Sequence, residues 1–459
     1  MCGITAVVSN ENIIYDLYES LYHLQHRGQD GFGISYMNSG KLNLIKYKGL
    51  LSNTDITDKL SEINSTIGIG HVRYPTKGEN TINECQPFFK HGENFNISLV
   101  HNGQIWITDK LKHYFKTNNI KISNITSDSI YLLSFISYHV NAHETLDSLK
   151  IKDIINKLYD LFEGSYNCIC MIEGYGLICF KDPNSIRPLI IGFKGDSYII
   201  SSESVSITSL DYKIMGDIYN NELLIFYNNK INILKIKQEV KPFRPCIFEW
   251  VYLAREESIL YGVNVYQARY KMGEYLADKI RKTIKVEELK KIDYIVPVPD
   301  TSKPCALSIS RNLKIPYSES ITKNRYINRT FIMDSQGKRK KNIKRKLNII
   351  NHLINYKNII LVDDSIVRGN TMKHIIDLLR KHKVNKLYIV SSSPEIINEN
   401  VYGIDIPNKN ELICYKNDIK KELDVDDIIF LDLPKLKECI REFNPNLKEF
   451  EDSIFINNM

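Results

Sequence analysis

Residues 358–393 read as a short β-rich run, a polar turn, an amphipathic helix and a second β-rich run. The strings are "NIILV", "DDSIVRGNT", "MKHIIDLLRKHK" and "KLYIVSSS". Ile375, Ile376 and Leu379 fall on one helical face, the stripe a helix needs to lie on a sheet. Earlier, "YIVPVP" at 294–299 also stops at a polar turn. Strands joined through helices pair in parallel, so this half of the chain is predicted to be an α/β sheet domain.

The first ~235 residues have another rhythm, with many short apolar or alternating runs broken by Gly, Asn and Pro. "TIGIGHVRYPT", "NISLVHNGQI", "NCICMIEGYGLICF" and "LIIGFKGDSYIISS" are examples. Helical spacing appears at about 13–25, 127–140 and 151–162. "KPFRPCIFEWVYLARE" marks the change of pattern, and we place the domains at 2–240 and 241–459. A length of 459 residues fits two or three domains better than one.

No apolar run reaches the roughly 20 residues a membrane span requires. Glu11 and Asp16 interrupt the start, so no secretory signal is expected. The nine cysteines include no CxxC pair, which supports neither a zinc site nor a disulfide framework. A reducing, cytoplasmic setting follows. Cys168 and Cys170 are two apart and, on a strand, would share a face as small buried hydrophobes. Residues 323–346 carry ten Lys or Arg against one acid, more than the whole formal excess of +7. The chain is therefore not a uniformly cationic nucleic-acid binder. The segment is either a solvated loop or an anion-gathering lid.

Cys2 follows Met1, and removal of Met1 would leave a thiol and a free α-amine on one residue, a nucleophile with its own base. Further on come "HRGQDGFG" at 26–33, "GHVRYPT" at 70–76, "HNG" at 101–103 and "SD" at 127–128. Singly, Arg73 could be a surface ion-pair residue, Asp128 a helix N-cap and "HNG" a type I′ turn. In this order and company they resemble the glutaminase domain of the N-terminal-nucleophile amidotransferases, across essentially the first half of the chain. The resemblance implies a four-layer αββα sandwich. It makes Cys2 the nucleophile, and Asn102 and the Gly103 backbone the oxyanion donors. Arg73 would grip the α-carboxylate of glutamine and Asp128 its α-ammonium, with His71 and Thr76 in the same subsite.

In the second half, "ILVDDSIVRGNT" at 360–371 takes a strand through two carboxylates and a small-residue loop into a helix. Such a loop offers backbone N–H groups to phosphate, and adjacent acids suit ribose hydroxyls or a hydrated Mg²⁺. It is neither a Walker A loop nor a GxGxxG dinucleotide fingerprint. It resembles the phosphoribosyl-pyrophosphate (PRPP) loop of type I phosphoribosyltransferases. With "VPVPDTSKPCA" and "KNRYINRTFIM" the whole chain is similar to the amidophosphoribosyltransferase family.

That resemblance implies transfer of ammonia from glutamine to PRPP at the start of purine synthesis. It places Ser365, Arg368, Gly369 and Thr371 around the 5′-phosphate and Asp363 and Asp364 on the ribose. Lys323 and Arg325 would stand at the start of a closing loop. Ser302, Asp363 and Asp364 would surround Mg²⁺ and pyrophosphate. It also implies a homo-oligomer, tetramer or dimer, and purine nucleotide inhibitors, whose sites the short C-terminus would alter or remove. Cys414 and Cys439 are isolated, so no iron–sulfur cluster is expected, and only Met1 would have to be removed. "YLAREES" and "RGNT" depart from the family's usual strings and leave the roles of Arg255 and Asn370 open. Other amidotransferases sharing the first half, and a non-catalytic PRPP sensor, are the rival readings. The PRPP-like loop weighs against the first and the intact Cys2 constellation against the second.

Overall fold

The computed structural model describes residues 1–74, 81–123, 125–227, 230–236, 241–324, 347–406, 408–416 and 418–456. Thr76, Arg325 and nearly all of the basic segment lie outside these described residues. The chain forms two compact units. One comprises Met1–Cys246 together with Val401–Asp405, the other Ile247–Asn400 together with Ile406–Met459.

The first unit is built on two antiparallel sheets. In the seven-stranded sheet the spatial order is Lys213–Asp217, Ile190–Lys194, Ser197–Ser201, Gly3–Val8, Ile67–Arg73, Gly31–Asn38 and Lys41–Lys48. In the six-stranded sheet it is Lys230–Lys235, Glu222–Tyr227, Gly176–Lys181, Glu163–Ile172, Ile97–Trp106 and Phe88–Lys90. Strand alternation sets the layers. On the first strand Ile4, Ala6 and Val8 enter a core shared with Val100, Ile169, Met171 and Leu224 of the other sheet. Thr5 points the other way, where its hydroxyl meets Ser20 of helix Ile14–His23 at 2.7 Å.

Helices Ser129–Asn141 and Ser148–Leu161 cover the far face of the second sheet, burying Phe135, Ile136, Ile155 and Leu158 against Leu99, Cys168 and Cys170. At ~1.5–3 kcal/mol per fully buried large side chain, these layers supply most of the unit's drive to fold. The result is a helix–sheet–sheet–helix sandwich. One helix, Asp109–Thr117, is not among those read from the sequence. It is short and polar and is started by Thr108, whose hydroxyl accepts the Leu111 N–H, so its apolar period is only Leu111 and Phe115.

The second unit centres on a parallel sheet of Tyr294–Pro297, Ile359–Asp363, Leu387–Ser391 and Asp427–Phe430. Ile375, Ile376 and Leu379 of helix Asn370–Lys381 pack on Ile359, Leu361 and Ile389. Helices Val265–Thr283, Lys303–Leu313 and Leu433–Arg441 complete the frame. A two-stranded ladder, Ile321–Lys323 with Leu347–Ile349, joins the two ends that flank residues 324–346.

Candidate active sites

In the first unit Gly3 pairs with Val72 and Gly31 with Arg73, so the end of the central strands brings Cys2 and Arg73 side by side. The Cys2 thiol donates to the Tyr74 carbonyl at 3.7 Å. Burial pushes the Cys2 thiol up, against the opposing pull of the terminal ammonium, this hydrogen bond and the Arg73 charge. At rest the residue is therefore a thiol, and attack requires a base. Arg73 is buried, not a surface ion-pair residue, and its Nη1 donates to Thr81 O at 3.4 Å.

Opposite, "HNG" is no turn: it lies inside the Ile97–Trp106 strand. His101 faces the helices, where its Nδ1 meets Ser129 Oγ at 2.8 Å. Asn102 is buried, and its Nδ2 finds no acceptor among the described residues. A buried amide donor without an acceptor costs ~1–3 kcal/mol unless something arrives to accept from it. Gly103 has φ +151°, and a Cβ there would lie 2.1 Å from Ser165 O, so no other residue fits. Asp128 precedes helix Ser129–Asn141 but does not cap it; its Oδ2 accepts the Ile105 N–H at 2.6 Å.

A cleft of about 450 Å³ is lined by Cys2, His71, Arg73, Gly103 and Asp128 among others. His71 is sealed in, and burial followed by the Arg73 charge holds its imidazole well below the usual range, hence neutral. Two residues the sequence reading missed hold this cleft in shape. Glu84 accepts the Thr126 N–H and hydroxyl at 2.7 and 2.8 Å, fixing the turn before Asp128. Gln86 clasps the His101 peptide, accepting its N–H at 2.6 Å and donating to its carbonyl at 3.2 Å. Both sit in "NECQPF", whose polar residues carry no periodicity to announce them.

In the second unit the Ile359–Asp363 strand ends in Asp363, Asp364 follows directly, and both are buried. Burial pushes both carboxyls up, and the Asp364 charge pushes Asp363 further. Hydrogen bonds from Thr301 and Ser365 and the charge of buried Arg269 pull Asp364 back. Thr301 donates to Asp364 Oδ2, and Ser365 to its Oδ1 at 2.7 Å. Ser302 is fully buried at the start of helix Lys303–Leu313, and its hydroxyl donates to Val298 O at 2.6 Å.

Beyond the acids the loop through Ser365 and Arg368 reaches Gly369, whose φ of +75° opens helix Asn370–Lys381. Thr371, in the first turn, and Asn370 are exposed. Arg368 Nε donates to Glu411 at 3.0 Å. Lys323 pairs with Asp300 at 2.9 Å, an acid that Lys303 also approaches at 3.9 Å. Arg255 pairs with Glu257 at 2.5 Å. Among the described residues no group of three or more His, Cys, Asp or Glu is placed to hold a metal ion. No helix of the described residues is long and apolar enough to cross a membrane.

Residues 1–164 match the family model of class-II glutamine amidotransferases, and residues 266–393 that of the phosphoribosyl transferase domain. A class-II glutamine amidotransferase followed by a phosphoribosyltransferase is the class these halves define. The amidophosphoribosyltransferase of Pasteurella multocida is 38% identical over 466 residues, 99% of this chain and 92% of that protein. That of Escherichia coli K12 is 36% identical, with the same 99% and 92% covered. The structure of glutamine PRPP amidotransferase from B. subtilis, complexed with ADP and GMP, aligns with a TM-score of 0.84 and 29% identity, over 99% of this chain and 94% of that one. The chain belongs to the amidophosphoribosyltransferase family.

Proposed function

We propose that the chain hydrolyses glutamine at Cys2 and passes the ammonia to PRPP, giving glutamate, 5-phosphoribosylamine and pyrophosphate, the first committed step of purine synthesis. The observation that carries the reading is the gathering of Cys2, Arg73, Gly103 and Asp128 around one cleft.

Removal of Met1 moves the terminal amine onto Cys2. With an ordinary pKa near ~7.7–8.0, that amine accepts the thiol proton as sulfur attacks the amide carbon. Asn102 Nδ2 and the Gly103 N–H take the oxyanion, and Arg73 and Asp128 hold the two charges of the α-carbon. Collapse returns the proton to the departing ammonia, and water then releases glutamate from the thioester. Thr76 belongs to the glutamine subsite of this reading.

In the other unit ammonia attacks the anomeric carbon of PRPP and pyrophosphate leaves. Ser365, Arg368, Gly369 and Thr371 would bind the 5′-phosphate, with Lys323 and Arg325 on the pyrophosphate side. The two buried carboxyls at Asp363 and Asp364, both destabilised as anions, form a hard oxygen donor set that suits Mg²⁺. These residues would hold the ion, directly or through ribose hydroxyls, and when bound it neutralises charge on the departing pyrophosphate. Ser302 completes this set in the reading; its hydroxyl is engaged with Val298 O, while the Thr301 and Ser365 hydroxyls donate to Asp364. An iron–sulfur cluster is not part of this reading, which on that point rests on cysteine spacing. The reading includes a cytoplasmic homo-oligomer of two or four chains. ADP and GMP, present in the B. subtilis relative, are the inhibitors to try first.

The test follows glutamate and pyrophosphate together, with and without PRPP and Mg²⁺. Joint release, with glutamate raised by PRPP, is expected. Glutamate formation indifferent to PRPP, with no pyrophosphate, would sink the assignment of the second half.

A further inference from the structure

The first unit includes a five-residue return of the chain, Val401–Asp405, that touches the strand carrying Asn102 and Gly103. Its contacts converge on one peptide. The Gln104 N–H donates to Ser165 Oγ at 3.1 Å, and the Ser165 hydroxyl donates onward to the Tyr402 carbonyl at 2.8 Å. That same carbonyl accepts Arg187 Nη2 at 2.5 Å. Arg187 is fully buried, and its position follows from the preceding turn. There the Asp182 carboxylate accepts the N–H groups of Asn184 and Ile186, at 2.9 and 3.2 Å, and so draws "DPNSIRP" into a tight curve.

On the other side of the peptide, Gly403 at φ +96° lies so close that a Cβ would come within 3.1 Å of Gly103 O. Trp106 Nε1 donates to Val401 O at 2.8 Å, tying the return to the same strand. The Gly103–Gln104 peptide, joined through the Gly103 Cα to the peptide that carries the Gly103 N–H, is thus held at its N–H by a relay ending in a buried cation, while Gly403 leaves no room for a side chain beside its C=O. A Gly103 backbone at φ +151° is one that strand pairing alone does not select, so an added restraint has something to do.

We propose that Arg187 is a positioning residue of the glutaminase reaction, acting through Tyr402 and Ser165 to set the orientation of the oxyanion donor at Gly103. The proposal rests on the functional reading above. Misplacing a reacting group by about 1 Å costs on the order of 100-fold in rate, and two restraints remain when one is removed.

The experiment uses the full chain and the variants Arg187→Met, Arg187→Lys and Ser165→Ala. Glutamine kcat should fall roughly 10–100-fold in Arg187→Met and Ser165→Ala, with KM within about two-fold. Arg187→Lys, which keeps a donor, should recover part of the loss. Glutamate γ-semialdehyde, whose adduct with Cys2 carries a tetrahedral oxygen, should inhibit these variants more weakly in step with kcat, while inhibition by product glutamate stays constant. Ammonia-dependent amination of PRPP should be unchanged, which separates mispositioning from misfolding. Ser165→Ala, a deletion of one oxygen, keeps the test open if Arg187→Met does not fold. Unchanged kcat in Ser165→Ala, or a loss shared equally by semialdehyde and glutamate binding, overturns the proposal alone. A parent chain that releases no glutamate overturns the functional reading and the proposal with it.

Discussion

On the proposed function, Asn102 and Cys2 are catalytic residues held in states that are unfavourable without substrate. Burial keeps the Cys2 sulfur protonated, so the nucleophile is inert until its own amine takes the proton. The Asn102 side-chain N–H is shut away with no acceptor among the described residues, a cost that on the proposed reading an arriving oxyanion relieves. The two facts give an unusual expectation for Asn102→Ala. Glutamine kcat should drop ~10²–10³-fold, the usual loss for one oxyanion donor. Stability should barely change, because the substitution also removes an unsatisfied buried donor. Steady-state kinetics and a denaturation midpoint on the same preparation check both halves. A large fall in the midpoint would mean that Asn102 has a structural partner.

Among the elements, strand Ile67–Arg73 of the seven-stranded sheet and strand Ile97–Trp106 of the six-stranded sheet each carry a neutral histidine. Burial holds both His71 and His101 below the free value near 6.5. Below that pH an unfolded chain binds protons that these folded sites refuse, so stability is full above ~6.5 and declines as the pH falls. Each such site contributes up to about 1.4 kcal/mol per pH unit across its window. Denaturant titrations at pH 7.5 and 5.5 should show the loss, and His71→Gln should flatten the slope. In the other unit Gly369→Ala would force a side chain into φ +75°, with its Cβ 2.3 Å from Ile413 Cδ1. Strain of ~1–3 kcal/mol at the phosphate loop should raise the PRPP KM at least several-fold and leave glutamine binding alone. Isothermal titration with each substrate checks this.

The strand–loop–helix around Gly369 was legible because an apolar stripe and a polar turn alternate there. The run "NISLVHNGQI" already read as a strand, but "HNG" taken singly could equally be a turn, and the pairing of Asn102 with Asn167 on the partner strand decides between them. Asp128 shows the same limit: a Ser-Asp before a helix suggests a cap, and only the fold directs that carboxylate to Ile105.

For the molecule as a whole, the two chemistries sit in separate compact units, so variants should sort cleanly. Cys2→Ala should abolish glutamine-dependent synthesis while ammonia still supports it; Asp364→Asn should reduce both by a similar factor. Pyrophosphate release with glutamine or ammonium salts as the nitrogen source decides this, and a Cys2→Ala chain dead with ammonia would contradict it. The change of pattern near residue 240 made two units legible, whereas the detour of Val401–Asp405 was not. Five residues with no hydrophobic period give no sign in sequence that they belong to a unit begun four hundred residues earlier.

That detour bears on the timing of synthesis. A ribosome that has made Cys246 must add about 160 more residues before Asp405 exists. At ordinary elongation rates this takes roughly 10–30 s. Through that interval the nascent glutaminase lacks the carbonyl that Arg187 and Ser165 grasp. On the proposed reading, the restraint beside the Gly103 oxyanion donor is completed only after most of the ammonia-accepting half has been translated. If the proposed role of Arg187 holds, order along the message acts as a safeguard, and a chain truncated before Val401 should hydrolyse glutamine more slowly than the full chain.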